Sequence, residues 1–395
     1  MRRARRDKAG GLGVGDPLIA ASGSARRFEG PSVMAHPLSG SDPATLAAVL
    51  RRAGAPTKML TFTGIAASIV ARQPFSIGER IVMDSRLPRK DDLPPPIFLL
   101  GHWRSGTTHL YNILTKSGDF GYVPPIATGL PWDLFGIARA LRPALERALP
   151  KHRYIDKIPV NPDSPQEDEI AIANMSELSF YHGIYFPRAF AEFLHRGLFF
   201  DGCRPDEIEQ WQARFIYLLR KLSKLQGDKP MMIKNPVYTG RFAMLMEMFP
   251  SAKFVHIHRN PYDVFVSMRN FYRKLLQEFA LQDYGHVDID ETIFSVYDRM
   301  MRNLERDAAD ASPNRYVELR YDDLDADPMA AIDEVYRRLA LPGFEAARPK
   351  FEAYLASVKT FEKNRFTYDE TDAAKVADRM AHFIDKWGYT APDRR

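Results

Sequence analysis

Apolar residues first fall into a regular period between Asp42 and Arg72, where Leu46, Val49 and Leu50 share one face at helical spacing. Pro94-Pro95-Pro96 closes that stretch and marks the start of the main domain. Beyond it, short apolar runs alternate with longer runs of helical period. Ile97–Leu100 reads as a buried strand stopping at Gly101, and His109–Lys116 as a helix ending at Gly118, a residue suited to a left-handed cap. Met231–Ile233 predicts a second strand, followed by a helix near Thr239–Met248 that stops at Pro250. Lys253–Ile257 predicts a third, after which Arg259-Asn260-Pro261 opens a helix to about Arg273, because proline fits a first helical turn. Tyr316–Arg320 repeats the theme, with Asp327 as N-cap and Pro328 as first residue of a helix to Leu339. Strands alternating with helices predict an α/β fold, a parallel sheet flanked by helices.

The segment 121–228 breaks this alternation. It is aromatic, punctuated by prolines and helical in period, and it reads as a helical lid inserted on the substrate side of the sheet. The organisation expected is therefore a leader at 1–40, rich in Arg, Gly, Ser and Pro and without a period, a helical segment at 41–95, and a main domain at 96–395 that contains the 121–228 insertion.

Composition narrows the class of protein. The chain of 395 residues is 45% hydrophobic, enough for a large core, and its formal net charge is +5. Arg2, Arg3, Arg5, Arg6 and Lys8 against Asp7 supply four of those five charges, so the rest is nearly neutral and offers no basic stripe for nucleic acid. Cys203 is the sole cysteine, which excludes an intrachain disulfide and points to a reducing, cytoplasmic setting. Ala9–Ser24 is interrupted by glycines and a proline and lacks a secretory core, and Met34 is an alternative start. No apolar run is long enough to span a bilayer, although Leu141–Lys151, which mixes leucines with Arg142, Arg147 and Lys151, is a candidate for peripheral membrane contact.

The chemistry begins at Gly101-His102-Trp103-Arg104-Ser105-Gly106-Thr107-Thr108, between predicted strand and helix. Glycines at this spacing turn backbone N–H groups and a helix N-terminus toward an anion, and Thr107 and Thr108 add hydroxyl donors. The loop departs from the NTPase pattern, since Thr107 stands where the P-loop lysine belongs and the cation, Arg104, lies inside the loop.

This octet resembles the 5′-phosphosulfate-binding loop of sulfotransferases. Phe254-Val255-His256-Ile257-His258-Arg259-Asn260-Pro261-Tyr262-Asp263, with Ser267 eight residues after Arg259, is similar to the 3′-phosphate-binding segment of the same superfamily. The resemblance covers about Ile97–Tyr389 and implies a P-loop-like fold, the donor 3′-phosphoadenosine 5′-phosphosulfate (PAPS), the product 3′-phosphoadenosine 5′-phosphate (PAP), and no metal requirement. It implies donor contacts from Arg104, Ser105, Gly106, Thr107, Thr108, Arg259 and Ser267. Arg259 has an alternative in an ion pair with Asp263, four residues along a helix. Arg320-Tyr321-Asp322-Asp323-Leu324 resembles a further signature of bacterial and tyrosylprotein-type members and reads as structural, while Lys363-Asn364-Arg365 falls where the superfamily often closes a basic loop over the nucleotide.

Lys234, in Ile233-Lys234-Asn235-Pro236, resembles the family's strand-end catalytic lysine, and with Arg104 it would neutralise the leaving phosphate. The family pattern fails at the base. Pro236 occupies the place of the histidine of cytosolic members, and 121–130 holds no carboxylate to match the tyrosylprotein type. The nearest acids are Glu167, Asp168 and Glu169, of which Glu167 and Glu169 are the candidate bases because they would share a face that Asp168 does not; a solvated helix start is the alternative reading, and His102 and His258 are the alternative bases. Trp132, Phe135, Phe180, Tyr181, Tyr185, Phe186, Phe190, Phe193, Phe199 and Phe200 make a small-molecule or lipid alcohol the expected acceptor. Two rival readings are a P-loop nucleoside or small-molecule kinase, which would need Mg²⁺, and an inactive nucleotide-binding interaction protein.

Overall fold

The computed structural model describes residues 36–140, 142–143, 164–359 and 369–391. Of the expectations above, the leader up to 35, Lys363-Asn364-Arg365 and all of Leu141–Lys151 except residues 142–143 lie outside the described residues.

Four short strands, β1 (Ile97–Leu100), β2 (Met232–Lys234), β3 (Lys253–His258) and β4 (Tyr316–Arg320), form one parallel sheet in the order β2-β1-β3-β4. Leu99 pairs with Lys234 on one side and with Val255 on the other, and His256 pairs with Glu318. The period of two sorts β1 cleanly between the faces. Phe98 and Leu100 enter one core cluster, whereas Ile97 and Leu99 enter the other. The α/β class read from the sequence is the observed one. Its strand boundaries move by a residue: Met231 makes a lone bridge to Gly121, β2 runs on to Lys234, and β3 reaches His258.

Helices cover both faces. On one side lie α1 (Pro43–Ala53), α2 (Met59–Met83), the inserted helices α4 (Pro125–Gly129), α5 (Ile137–Ala140), α6 (Glu169–Met175), α7 (Tyr181–Tyr185), α8 (Phe190–Phe199) and α9 (Pro205–Leu225), and then α10 (Phe242–Met248), α11 (Pro261–Phe279) and α12 (Ile289–Ala308). On the other pack α3 (Thr107–Leu114), α13 (Tyr321–Ala326), α14 (Pro328–Arg338) and α15 (Phe344–Val358). The C-terminal α16 (Glu370–Arg379) and α17 (Ala381–Trp387) return to the first side. Residues of 41–95 and of 121–228, such as Val49, Ile69, Trp132 and Phe180, lie in the same apolar cluster as Phe98 and Phe254 of the sheet. Helices differ from expectation in three places, the first being α3, which runs Thr107–Leu114 rather than His109–Lys116. Pro236–Arg241 forms a tight 3₁₀ turn before α10, because Pro236 brings no N–H and Asn235 Oδ1 caps Val237 N at 3.1 Å. α11 continues past Arg273 to Phe279, since Leu275, Leu276 and Phe279 prolong its buried face.

Candidate active site

The loop after β1 is held from several sides. Gly101 N donates to Thr239 Oγ1 at 2.8 Å, and Ser105 Oγ donates to the His102 carbonyl at 2.8 Å. Arg104 takes φ +71°, a left-handed conformation that costs a non-glycine residue about 1–3 kcal/mol and persists only where neighbours enforce it. Its Nε donates to Ser267 Oγ at 2.7 Å, so the loop after β1 meets the helix after β3. Gly106 takes φ +99°, and a Cβ there would lie 2.3 Å from the ring of Tyr321. Glycine is required twice over, by conformation and by packing. No side chain caps α3, and the His109 and Leu110 N–H groups bond back to the Gly106 carbonyl, which turns the start of the helix toward the loop as in anion-binding loops.

The second loop is organised by Asn260, whose Oδ1 accepts from Tyr262 N at 3.2 Å, and by Pro261 at the first position of α11. Arg259 and Ser267 have different partners. Ser267 is buried against Arg104, while Arg259 donates to Asp263 Oδ2 at 2.9 Å and lies over the Tyr321 ring at 4.6 Å. The Arg259 Nε has no hydrogen-bond partner among the described residues. Tyr321 therefore touches both loops, a position that a structural reading of Arg320–Leu324 misses. Resemblance of that segment to a family signature is the signal that pointed to it.

Lys234 ends β2 beside β1, and its ammonium is ion-paired with Glu167 Oε1 and donates to Thr108 Oγ1 at 3.3 Å. The pair ties three elements together: the β2 end, the first turn of α3 and the chain entering α6. Lys234 is 2% exposed and Glu167 17%, so the carboxylate edge is the part that meets solvent.

Glu167 and Glu169 do not share a face, which corrects the expectation from spacing. α6 starts only at Glu169, so the triplet does not alternate as one regular element. Asp168 and Glu169 instead share one donor. Asn235 Nδ2 donates to Asp168 Oδ1 at 2.9 Å and to Glu169 Oε2 at 2.8 Å, Tyr238 OH donates to Asp168 Oδ2, and Ser179 Oγ donates to Glu169 Oε1 at 2.6 Å. Both carboxyls are buried, and desolvation pushes Asp168 up to about 6 and Glu169 up to about 7. Buried acids with this many donors hold α6 on the β2 turn. The partners Asn235 and Tyr238 carried no separate signal in the sequence.

His102 and His258 are both enclosed. Burial pushes His102 down to about 4, with its Nδ1 3.0 Å from the Trp103 carbonyl. Burial, then the neighbouring His256, pushes His258 down to about 3, with its ring stacked 4.1 Å from Trp387 and Nδ1 3.0 Å from Tyr389 OH. Both rings are buried, at 2% and 7% exposure, whereas the Glu167 carboxylate beside Lys234 reaches solvent. Among the insertion's aromatic residues, Trp132, Phe180, Tyr181, Tyr185, Phe186, Phe190 and Phe193 are buried in the core; Phe180, for example, packs 5.1 Å from Trp103 of the loop.

A model of the sulfotransferase family matches residues 95–346. The omega-hydroxy-beta-dihydromenaquinone-9 sulfotransferases of Mycobacterium bovis and Mycobacterium tuberculosis are each 30% identical over 315 residues, covering 79% of this chain and 79% of theirs. Among solved structures, sulfotransferase STF9 from Mycobacterium avium superposes with a TM-score of 0.66 at 15% identity, covering 89% of this chain and 92% of that one. Sulfotransferase STF1 from Mycobacterium tuberculosis follows with 0.59 at 18% identity, covering 86% and 90%. At such identities these two speak to the fold alone.

Proposed function

This chain belongs to the sulfotransferase family, and from that premise we propose that it transfers the sulfuryl group of PAPS to the hydroxyl of a lipid alcohol, with Glu167 as general base and Lys234 and Arg104 acting on the leaving phosphate. The observation that carries the reading is the Lys234–Glu167 ion pair set against Thr108 at the start of α3. An acid and a base of opposite charge stand side by side at the mouth of an anion-binding loop.

In the proposed step, the acceptor oxygen forms a bond to sulfur as the bond from sulfur to the 5′-phosphate oxygen breaks. The electron pair goes to that phosphate oxygen, and the acceptor proton goes to Glu167. Sulfuryl transfer resembles phosphoryl transfer in its loose, in-line displacement, so positioned charge does most of the work. Lys234 exchanges its partner, from the Glu167 carboxylate to the leaving phosphate, which leaves Glu167 to the acceptor. Arg104 and the uncapped first turn of α3 hold the 5′ end, and Arg259 exchanges Asp263 for the 3′-phosphate through its fork. The choice of Glu167 over Glu169 rests on its position at Lys234 and its partial exposure, against the fully bonded burial of Glu169.

A lipid acceptor is supported by the 30% identical relatives, which are named for a hydroxylated menaquinone, a lipid quinone. PAP is expected to raise the melting temperature well above AMP or ATP, because a ligand binding only the folded state stabilises it in proportion to its affinity. Equal stabilisation by AMP would remove the 3′-phosphate assignment. With cations supplied by Lys234 and Arg104, chelator should leave the initial rate unchanged, whereas strict Mg²⁺ dependence would favour the kinase reading.

A further inference from the structure

The second half of α2 turns polar residues inward. Ile65 and Ile69 bury the first half in the core, whereas Arg72, Ser76 and Glu79 are the buried residues of the second. Arg72 is ion-paired with Asp133 and donates to the carbonyls of Ser39 at 2.9 Å and Ser41 at 2.6 Å, while Glu79 pairs with Lys221 at 2.6 Å and accepts from Phe135 N and Gly136 N at 2.8 Å each. Its outward face is apolar: Leu60 is 90% exposed, Ile81 76% and Val70 66%, with Met59, Phe75 and Ile77 also exposed. Between Lys58 and Arg80 no exposed residue of this helix carries a charge. Isolated exposed leucines are ordinary, but a whole helix face without a charge is a contact surface.

Charge collects only at the ends of this face. Exposed Arg51 and Lys58 flank one end and exposed Arg86, Arg89 and Lys90 the other, against Asp84, Asp91 and Asp92. An apolar stripe about 37 Å long with uncompensated cations, Arg51 and Lys58, at one end and balanced charge at the other matches an anionic lipid surface, with the stripe in the acyl boundary and the cations among the headgroups. No helix among the described residues is long and apolar enough to cross a membrane, so α2 would lie in the surface plane. The opposite face of α2 leads to the site. Ser39 and Ser41, bound by Arg72, flank Gly40, which lies against Asn174 of α6, and Glu167 stands two residues before α6.

We propose that the exposed face of α2 docks this chain on an anionic membrane, the source of its lipid acceptor. From the preceding reading the proposal takes only the lipid character of the acceptor. The test is flotation of the full chain with phosphatidylcholine vesicles containing about a third phosphatidylglycerol, without donor or acceptor. The wild type should float with these vesicles, and Val70→Glu/Phe75→Glu should lower the bound fraction about tenfold or more. Leu60→Glu, at the most exposed position, should weaken binding with the far-ultraviolet spectrum unchanged, and Lys58→Glu/Arg86→Glu should weaken it on anionic vesicles more than on neutral ones. Absence of flotation by the wild type overturns the proposal. So does flotation indifferent to Val70→Glu/Phe75→Glu, which would place the lipid contact elsewhere on the chain. A wild-type dimer split to monomers by those substitutions would assign the face to a second copy. Since flotation measures no transfer, such failures leave the sulfuryl-transfer reading intact.

Discussion

At the residue scale, the three neighbouring acids have three different lives. Glu167 meets Lys234, Asp168 meets Tyr238 and Asn235, and Glu169 meets Ser179 and Asn235. Glu167→Gln should lower single-turnover transfer about 10²-fold with PAP affinity unchanged, as loss of a general base does. Glu169→Gln keeps the shape, its oxygen accepting from Asn235 and its amide donating to Ser179 Oγ in reversal of the native bond, and should transfer at nearly the wild-type rate. The reverse ranking would move the base into the core of α6. Lys234→Ala should also cost about 10²-fold in turnover while PAP affinity changes little. Because the two side chains touch, Glu167→Gln/Lys234→Ala should lose less than the two single losses combined, and simple additivity would argue that they do not act on one step. The sequence carried the types of these residues through family resemblance and local composition. It did not carry which acid faces Lys234, because that depends on where α6 begins, a boundary set by packing on Asn235 and Tyr238.

At the scale of elements, the site is a junction of strand ends with helix starts. β1 delivers the loop to α3, β3 delivers Arg259 to α11, and β4 delivers Tyr321 between them. Gly106→Ala should weaken PAP binding and lower the melting temperature together, because its Cβ meets Tyr321 and its φ is left-handed. Shortening the neighbour in Gly106→Ala/Tyr321→Ala should recover part of the stability but not the conformational part; full recovery would mean that packing alone demands the glycine. These junctions were legible because glycine, proline and Asx residues punctuate the chain there: Gly101, Gly106, Asn260-Pro261 and Asp327-Pro328 all stand where the pattern puts an element boundary. α2 was legible only as a helix. Beyond Ile69 its buried residues are Arg72, Ser76 and Glu79 while Val70, Phe75 and Ile77 are exposed, so in that half the period gave its conformation but not which face is buried.

At the scale of the whole molecule, the parallel sheet, its two-sided core and the helix alternation follow from apolar runs that turn and helix signals separate, whereas the merging of the N-terminal helices and the insertion into one core depends on contacts far apart in sequence. Burial of the α6 acids reaches the stability of the whole fold. Asp168 at about 6 and Glu169 at about 7 stand above their ordinary 3.8 and 4.5, so the native state holds protons that the unfolded chain releases. The stabilisation from these two groups is full below about pH 4 and is lost as pH rises through 6 to 7. The melting temperature should therefore fall between about pH 5 and pH 8 by an increment that Glu169→Gln reduces; a fall of equal size in the variant would show that Glu169 is not its source. The central claim, that Glu167 takes the acceptor proton while Lys234 serves the leaving phosphate, is tested most directly by single-turnover transfer of labelled sulfate from PAPS to a hydroxylated polyprenyl quinone, with donor saturating, across about pH 6 to 9. The account predicts transfer by the wild type and about 10²-fold slower transfer by Glu167→Gln throughout that range; full-rate transfer by Glu167→Gln, with the rate abolished instead in His102→Asn or His258→Asn, would contradict it.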